Sequence, residues 1–233
     1  QRGYTDQIDI WRSDHHGYIS RVKAAIDAMG YDSKKLTVLL VQFVSLWRGG
    51  EMVQMSSRSG QFVTLRDLRK EVGNDAARFY YVMRKSEQHI DFDLDLAVSQ
   101  SKDNAVYYIQ YAHARVNSIL NRAKEKGITF DVASARQVAN LLVLETETEI
   151  LAKLAAYPEI LIRAANVYEP HQIGNYLKDL AALFHGWYAQ DGVKFVDETN
   201  IPLSQARLLL SINVQQVLRN GLELLGVSAP EAM

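Results

Sequence analysis

Apolar residues recur at helical spacing along most of this chain, whereas strand-like runs are concentrated in its first quarter. Residues 8–11 are a short strand candidate. Residues 35–46 are rich in β-branched and apolar side chains with almost no alternation, which is typical of a strand buried on both faces. Between them, apolar spacing predicts a helix over residues 18–29, for which Ser13 and Asp14 are suitable N-caps. This order of elements predicts the last part of an α/β sheet.

Two shorter features follow these runs. The dipeptide Gly49-Gly50 predicts a tight turn, after which residues 51–54 return beside the preceding strand. Further on, residues 90–97 read IDFDLDLA and alternate apolar with acidic side chains. That alternation fits either a short strand or an extended link, and we favour the extended link.

Helical spacing dominates the remainder of the chain. The predicted helices are residues 65–72, one capped by Asn74 or Asp75, then 104–126, 136–156, 159–167, one starting at Pro170 and one after Pro202. Because most connections are short, neighbouring helices should pack antiparallel, and only residues 191–202 form a longer loop. The predicted fold class is mainly α, a C-terminal antiparallel helical bundle preceded by a truncated, Rossmann-like α/β piece.

Composition limits the possible partners and the cellular compartment of this protein. The 233 residues carry a net charge of −1, which argues against indiscriminate nucleic-acid binding. Neither DNA nor a membrane is an expected partner. The absence of cysteine excludes disulfides and thiolate metal sites, and it fits a reducing cytoplasm. No apolar run approaches the roughly 20 residues that span a bilayer. The first residues lack a secretion signal and resemble a cut made inside a domain.

The sequence Asp14-His15-His16-Gly17 stands where a predicted strand meets a helix. Ligands bind at this kind of junction in open α/β sheets, because free backbone N–H groups there favour phosphate or ribose oxygens. The simpler interpretation is that Asp14 caps the helix and the histidines lie on the surface. A metal site is not expected, because adjacent histidines diverge on a helix and further ligands do not cluster nearby.

A run of aromatic and basic residues offers the best RNA-contact candidate. Tyr107, Tyr111 and Arg115 share one face of the predicted helix 104–126, and Asn117 lies in the same run. Unpaired bases stack on tyrosine rings or guanidinium planes. For each tyrosine alone, core packing remains the alternative. The later aromatic residues Phe184, Trp187 and Tyr188 are assigned to packing.

Five stretches together resemble bacterial arginyl-tRNA synthetases of class I. They are DHHGYISRVKAAIDAMG at 14–30, MSSRSGQFVTL at 55–65, FDLDLA at 92–97, YYIQYAHAR at 107–115 and GVSAPEAM at 226–233. This family joins arginine to its tRNA with ATP, through an adenylate. Its first ATP-binding motif, His-x-Gly-His, does not occur here. The resemblance therefore implies a C-terminal piece that lacks the first half of the catalytic domain and is inactive alone.

The resemblance also implies roles for individual residues. Those on the ATP side are Asp14, His15, His16, Gly17, Met55 and Ser56. MSSRSGQ resembles the MSKSK-type loop that holds the triphosphate, and it gives Ser57 and Arg58 catalytic roles. Gln54 and Ser57 stand where lysines are usual, so Arg58 is the remaining cation. Without the resemblance, this serine-rich stretch would be taken as an ordinary turn.

The family's organisation implies three parts. Residues 1–63 would end the nucleotide-binding domain, 64–97 would connect, and 98–233 would form the anticodon-binding domain, in which Asn200 is a further tRNA contact. The implied partners are the tRNA for arginine, arginine, and ATP with Mg²⁺ as its counter-ion, in the cytoplasm. Two alternatives stay open: a non-catalytic RNA-binding module, and a helical scaffold that binds protein.

Overall fold

The computed structural model describes residues 3–54 and 63–233, which form two compact units. The first unit comprises Gln1–Phe62 with Arg84–Asp95, and the second comprises Val63–Met83 with Leu96–Met233. Every strand of the described residues lies in the first unit, whereas the second is helical. The predicted fold class, a helical bundle preceded by an α/β piece, is therefore confirmed.

The first unit begins with a strand–helix–strand arrangement. Strand β1 (Gln7–Arg12) leads through a 3₁₀ helix (Ser13–Tyr18) into helix α1 (Ile19–Ala28). After a short 3₁₀ turn (Ser33–Lys35), strand β2 (Leu36–Val41) pairs parallel to β1. The predicted order is confirmed, but neither Ser13 nor Asp14 caps a helix. The Asp14 carboxylate accepts a hydrogen bond from Arg12 Nε at 2.8 Å instead.

The apolar run 35–46 is two strands rather than one. Strand β2 ends at Val41, and strand β3 (Val44–Arg48) belongs to a different sheet. Between them, the Gln42 N–H donates to the carbonyl oxygen of Ser86 at 2.8 Å, and the Gln42 side chain accepts from Ser13 Oγ at 3.0 Å. These contacts draw Gln42 out of β2. The prediction of a single strand buried on both faces was wrong, and β2 is mostly half-buried.

The predicted turn at Gly49-Gly50 is confirmed. Strand β4 (Glu51–Met52) pairs antiparallel with β3, placing Trp47 opposite Met52. Both glycines have positive φ, +60° and +78°, which matches the two-residue hairpin turns that suit twisted strands.

Residues 90–93 form a strand, so the preference for an extended link was wrong. Strand β5 (Ile90–Asp93) pairs parallel with β3, and Leu46 lies opposite Phe92. Phe92 is fully buried, whereas Asp91 and Asp93 on either side of it are exposed. Its alternation is therefore that of a half-buried strand.

The second unit is built from helices. They are α2 (Leu65–Val72), α3 (Asn74–Val82), α4 (Leu94–Val98, which directly follows β5 and whose first two residues belong to the first unit), α5 (Ala105–Glu125), α6 (Val132–Gln137), α7 (Glu145–Ala155), α8 (Tyr157–Asn166), α9 (His171–Ala189) and α10 (Ile201–Leu224). Helices α5, α9 and α10 pack against one another. Trp187, Phe184 and Leu180 on α9 are completely buried, and burial of each such side chain contributes about 1.5–3 kcal/mol. In the described ranges, no helix has the length and apolar character needed to cross a bilayer.

The predicted helix 136–156 is interrupted. Helix α6 ends at Gln137, a short 3₁₀ turn (Ala139–Leu141) follows, and α7 begins at Glu145. The cause is Glu147, whose carboxylate turns inward to accept the Leu144 N–H at 3.1 Å and the Arg207 Nε at 2.8 Å. Glu147 is 0% exposed and Arg207 is 7% exposed. This buried ion pair joins the start of α7 to α10.

The sequence predicted Asn74 or Asp75 as the N-cap of α3, but the N-cap is Gly73. The Asp75 carboxylate instead accepts the backbone N–H of Ser228 at 3.2 Å and an amide N–H of Gln110 at 2.9 Å. Asp75 therefore ties α3 and α5 to the C-terminal strap, which we define as residues 227–231.

Three side chains on one face of α5 hold the C-terminal strap. Gln110, His113 and Asn117 donate to the carbonyl oxygens of residues 228, 230 and 231 at 2.9, 2.8 and 3.0 Å. His113 is fully buried, and desolvation is the main cause that lowers the pKa of its ring. The strap thus lies along α5 through a ladder of side-chain to backbone hydrogen bonds.

Candidate nucleic-acid interface

Two tyrosines on α5 form the start of a stacked aromatic surface. The rings of Tyr107 and Tyr111 lie 6.0 Å apart with only 10° between their planes. Tyr111 keeps 37% of its surface exposed, and Tyr107 is half-buried. Because these residues are four positions apart on one helix, their rings lie one above the other along the same face.

Arg115 continues this stack toward α9. Its guanidinium carbon lies 4.3 Å from the ring centre of Tyr111 and 4.4 Å from that of Tyr188. Within the described ranges, no carboxylate lies at ion-pair distance from Arg115. We call the set Tyr107, Tyr111, Arg115, Tyr188 and His185 the aromatic–arginine cluster. It presents π-faces and an unneutralised cation together.

His185 connects the two helices of the aromatic–arginine cluster. Its Nε2 lies 3.1 Å from the backbone oxygen of Tyr108, and its Nδ1 lies 2.9 Å from Nη1 of Arg115. Its ring also stacks on Tyr111 at 5.8 Å with an interplanar angle of 27°. Burial is the main cause that lowers the pKa of His185 below its ordinary value, and the Arg115 charge acts in the same direction.

The structure brings Tyr107, Tyr111 and Arg115 together, as helical spacing predicted, and does not bury them as a group. Asn117 is placed elsewhere: its amide nitrogen donates to the strap, and its oxygen accepts from Gln215 Nε2 at 2.9 Å. The Asn200 side chain caps α10 by accepting the Leu203 N–H at 3.2 Å. An RNA role for any of these residues stays a prediction.

Sequence reasoning missed His185 and misjudged Tyr188. Phe184 and Trp187 are buried, as predicted, but Tyr188 keeps 38% of its surface exposed and stacks on Arg115. Tyr188 lies at the edge of the apolar stripe of α9, where sequence spacing alone does not separate core from surface. His185 gave no signal, because its partners lie about 70 residues earlier, on α5.

A groove beside the aromatic–arginine cluster extends the surface along α5. It has a volume of about 680 Å³ and is lined by Tyr188, Arg122 and the loop before α10. Two cations at its rim are paired: Lys126 Nζ lies 3.5 Å from Glu198, and Lys194 Nζ lies 3.7 Å from Asp197. The groove is therefore nearly balanced in charge.

The Asp14-to-Gly17 segment lies at the carboxyl ends of the parallel strands β1 and β2, where ligands bind in open α/β sheets. Two of its side chains, Asp14 and His16, form hydrogen bonds within the segment or with residues next to it. Arg12, which hydrogen-bonds Asp14, holds the pKa of that carboxyl below its ordinary value, and His16 Nδ1 lies 3.2 Å from the Ser13 oxygen. Elsewhere, the part of the chain that the structure describes contains no His, Asp and Glu cluster arranged for a metal ion.

The serine-rich loop lies outside the described residues. The roles predicted for Met55, Ser56, Ser57 and Arg58 therefore stay predictions.

Residues 109–233 match the DALR anticodon binding domain family. The arginine–tRNA ligases of Acinetobacter baumannii strain AYE and Psychrobacter sp. strain PRwf-1 are 81% and 59% identical over the whole of this chain. The chain spans only 39% and 40% of the lengths of these two relatives.

Solved structures agree with this match. An arginyl-tRNA synthetase from Campylobacter jejuni superposes with a TM-score of 0.85 at 33% identity, covering 100% of this chain and 49% of that one. The Thermus thermophilus arginyl-tRNA synthetase gives 0.74 at 26% identity, covering 98% and 41%. The resemblance predicted from the sequence is confirmed. With the family match extending over more than half of its residues, the chain belongs to the DALR anticodon binding domain family, and its homologues are arginine–tRNA ligases.

Proposed function

We propose that the helical unit binds the anticodon loop of a tRNA through its aromatic–arginine cluster. The observation that carries this proposal is the partly exposed stack of Tyr107, Tyr111, Arg115 and Tyr188, which offers ring faces beside a guanidinium without a carboxylate partner among the described residues. Unpaired bases stack on such surfaces for about 1–3 kcal/mol each. The family match over residues 109–233 supports the same assignment. Residues 98–233 would thus be the anticodon-binding domain, joined by residues 64–97 to a catalytic part, 1–63.

We further propose that the whole protein is a cytoplasmic arginine–tRNA ligase whose substrates are arginine, ATP and the tRNA for arginine, with Mg²⁺ as the counter-ion of ATP. ATP would supply the activation of the arginine carboxylate. The location of Asp14, His15, His16 and Gly17 at the carboxyl ends of β1 and β2 supports a place on the ATP side. The loop that contains Met55, Ser56, Ser57 and Arg58 would hold the triphosphate.

A binding experiment tests the anticodon assignment. At fixed salt, the chain should bind the tRNA for arginine at least tenfold more tightly than the same tRNA with its anticodon bases replaced, because stacking and base contacts are lost while the phosphates remain. Filter binding measures both affinities. Equal affinity for the two tRNAs would contradict the proposal, and no affinity for either would favour the protein-binding scaffold.

We expect the chain by itself to form no arginyl adenylate, because the His-x-Gly-His motif does not occur in its sequence. Arginine-dependent exchange of pyrophosphate into ATP measures this step. The Acinetobacter baumannii ligase, 81% identical over the shared region, provides the positive control. Exchange above background with this chain would refute the expectation. Tight tRNA binding without exchange by the whole protein would favour the non-catalytic RNA-binding module.

A further inference from the structure

The contacts of His185 identify the tautomer of its ring. A backbone carbonyl oxygen accepts hydrogen bonds and cannot donate them, so the contact at 3.1 Å to the Tyr108 oxygen requires a proton on Nε2. Arg115 has only donors, so the contact at 2.9 Å between its Nη1 and His185 Nδ1 requires a lone pair on Nδ1. Both hydrogen bonds form together only with the neutral Nε2–H ring.

The groups that face this ring come from α5 and α9. Tyr108 and Tyr111 on α5 lie with their ring centres 4.4 and 5.8 Å away, and Phe184 on α9 lies 6.1 Å away. The charged group in contact with the ring is Arg115. Among the described residues, no carboxylate forms an ion pair with His185, so nothing there offsets a second positive charge.

We propose that neutral His185 is a positioning residue that orients the Arg115 guanidinium between Tyr111 and Tyr188, and that protonation of His185 releases Arg115 and weakens RNA binding. This inference rests on the proposed function, because it concerns the regulation of the same surface.

Protonation changes the hydrogen bond between the two helices into a repulsive contact. The imidazolium carries N–H groups on both nitrogens, so Nδ1–H would point at an Arg115 N–H across 2.9 Å while two positive charges meet. Because burial holds the pKa of His185 below its ordinary value of about 6.5, the ring is neutral above that pH and gains its proton only below it. RNA affinity should therefore be constant above pH 6.5 and fall as the pH decreases further.

Two substitutions distinguish the role of the Nδ1 hydrogen-bond acceptor of His185 from the role of its flat ring. His185→Phe keeps a flat ring but removes the acceptor, and it should weaken tRNA binding by about tenfold at pH 7.5, as Arg115→Ala does. His185→Asn places an amide oxygen near the position of Nδ1 and should recover most of that loss. Because the effect of His185→Phe acts through Arg115, combining His185→Phe with Arg115→Ala should cause no further loss of tRNA affinity.

The pH profile is a readout that a merely structural role would not change. Below pH 6.5 the unmodified chain should lose affinity progressively toward that of Arg115→Ala, whereas His185→Asn should follow the shallower profile of Arg115→Ala. The Arg115→Ala profile is the control for protonation of the tRNA and of other buried histidines, including His113. Circular dichroism at each pH identifies conditions in which the chain unfolds.

The outcomes distinguish this inference from the proposed function. If Arg115→Ala binds tRNA as well as the unmodified chain, the proposed function fails. If Arg115→Ala weakens binding but His185→Phe does not, or if His185→Asn retains the full pH dependence, only the role of His185 is refuted. ¹⁵N NMR gives a test without RNA: neutral His185 should carry its proton on Nε2, and a proton on Nδ1 would overturn the inference.

Discussion

Arg115→Ala is expected to weaken binding of the tRNA for arginine by about tenfold or more at neutral pH. The substitution removes the cation that packs against both the Tyr111 and Tyr188 rings, so the aromatic surface, on which each stacked base gains about 1–3 kcal/mol, loses its charge and its support. Filter binding at fixed salt measures the change. Arg115→Lys should recover little of the loss, because an ammonium keeps the charge but not the stacking plane.

The control for Arg115→Ala must remove an arginine whose guanidinium does not pack on an aromatic ring. Arg163 is exposed in the last turn of α8, so Arg163→Ala should change the affinity by no more than about twofold. If the two alanine variants lose affinity equally, binding depends on general charge and not on the aromatic–arginine cluster. That result would contradict the anticodon assignment.

Arg207→Met is expected to lower the free energy of unfolding by about 3–5 kcal/mol, the largest stability effect predicted for this chain. The substitution leaves Glu147 completely buried without its cation, and it removes the Arg207 donor at 2.9 Å from the Lys194 oxygen. Urea unfolding of the helical unit, followed by circular dichroism, measures the change.

Two further variants test the cause of that loss. In Arg207→Met with Glu147→Leu, both charges are gone, so much of the stability should return even though the pair itself is lost. Asp179→Asn breaks an exposed ion pair with Lys153 at 2.8 Å and should cost no more than about 1 kcal/mol. An effect of Arg207→Met as small as that of Asp179→Asn would show that Glu147 is not left uncompensated.

Local spacing predicted those features that depend on one helix or one turn. The period of α5 places Tyr107, Tyr111 and Arg115 on one face, and paired glycines define the β3–β4 turn. Such features need no information about distant residues.

Features that depend on distant partners were not predictable from spacing. Strand β2 ends before Gln42 because the Gln42 N–H donates to the Ser86 carbonyl oxygen. Helix α7 starts anew near Glu147 because the ion-pair partner of Glu147, Arg207, lies on α10. The hydrogen bonds that join Asn117 to Gln215 and to the backbone of residue 231 were not predicted either. In each case a polar group forms a hydrogen bond or ion pair with a residue that is remote in sequence. A pattern of apolar positions holds no information about such contacts.

The C-terminal strap has a consequence for sequence variation. Gln110, His113 and Asn117 donate to main-chain oxygens, which every amino acid possesses. Inserting one residue after Ser228 should therefore be poorly tolerated, because an insertion moves the later oxygens of residues 230 and 231 out of step with their donors. Related proteins should accordingly keep the same number of residues in this segment.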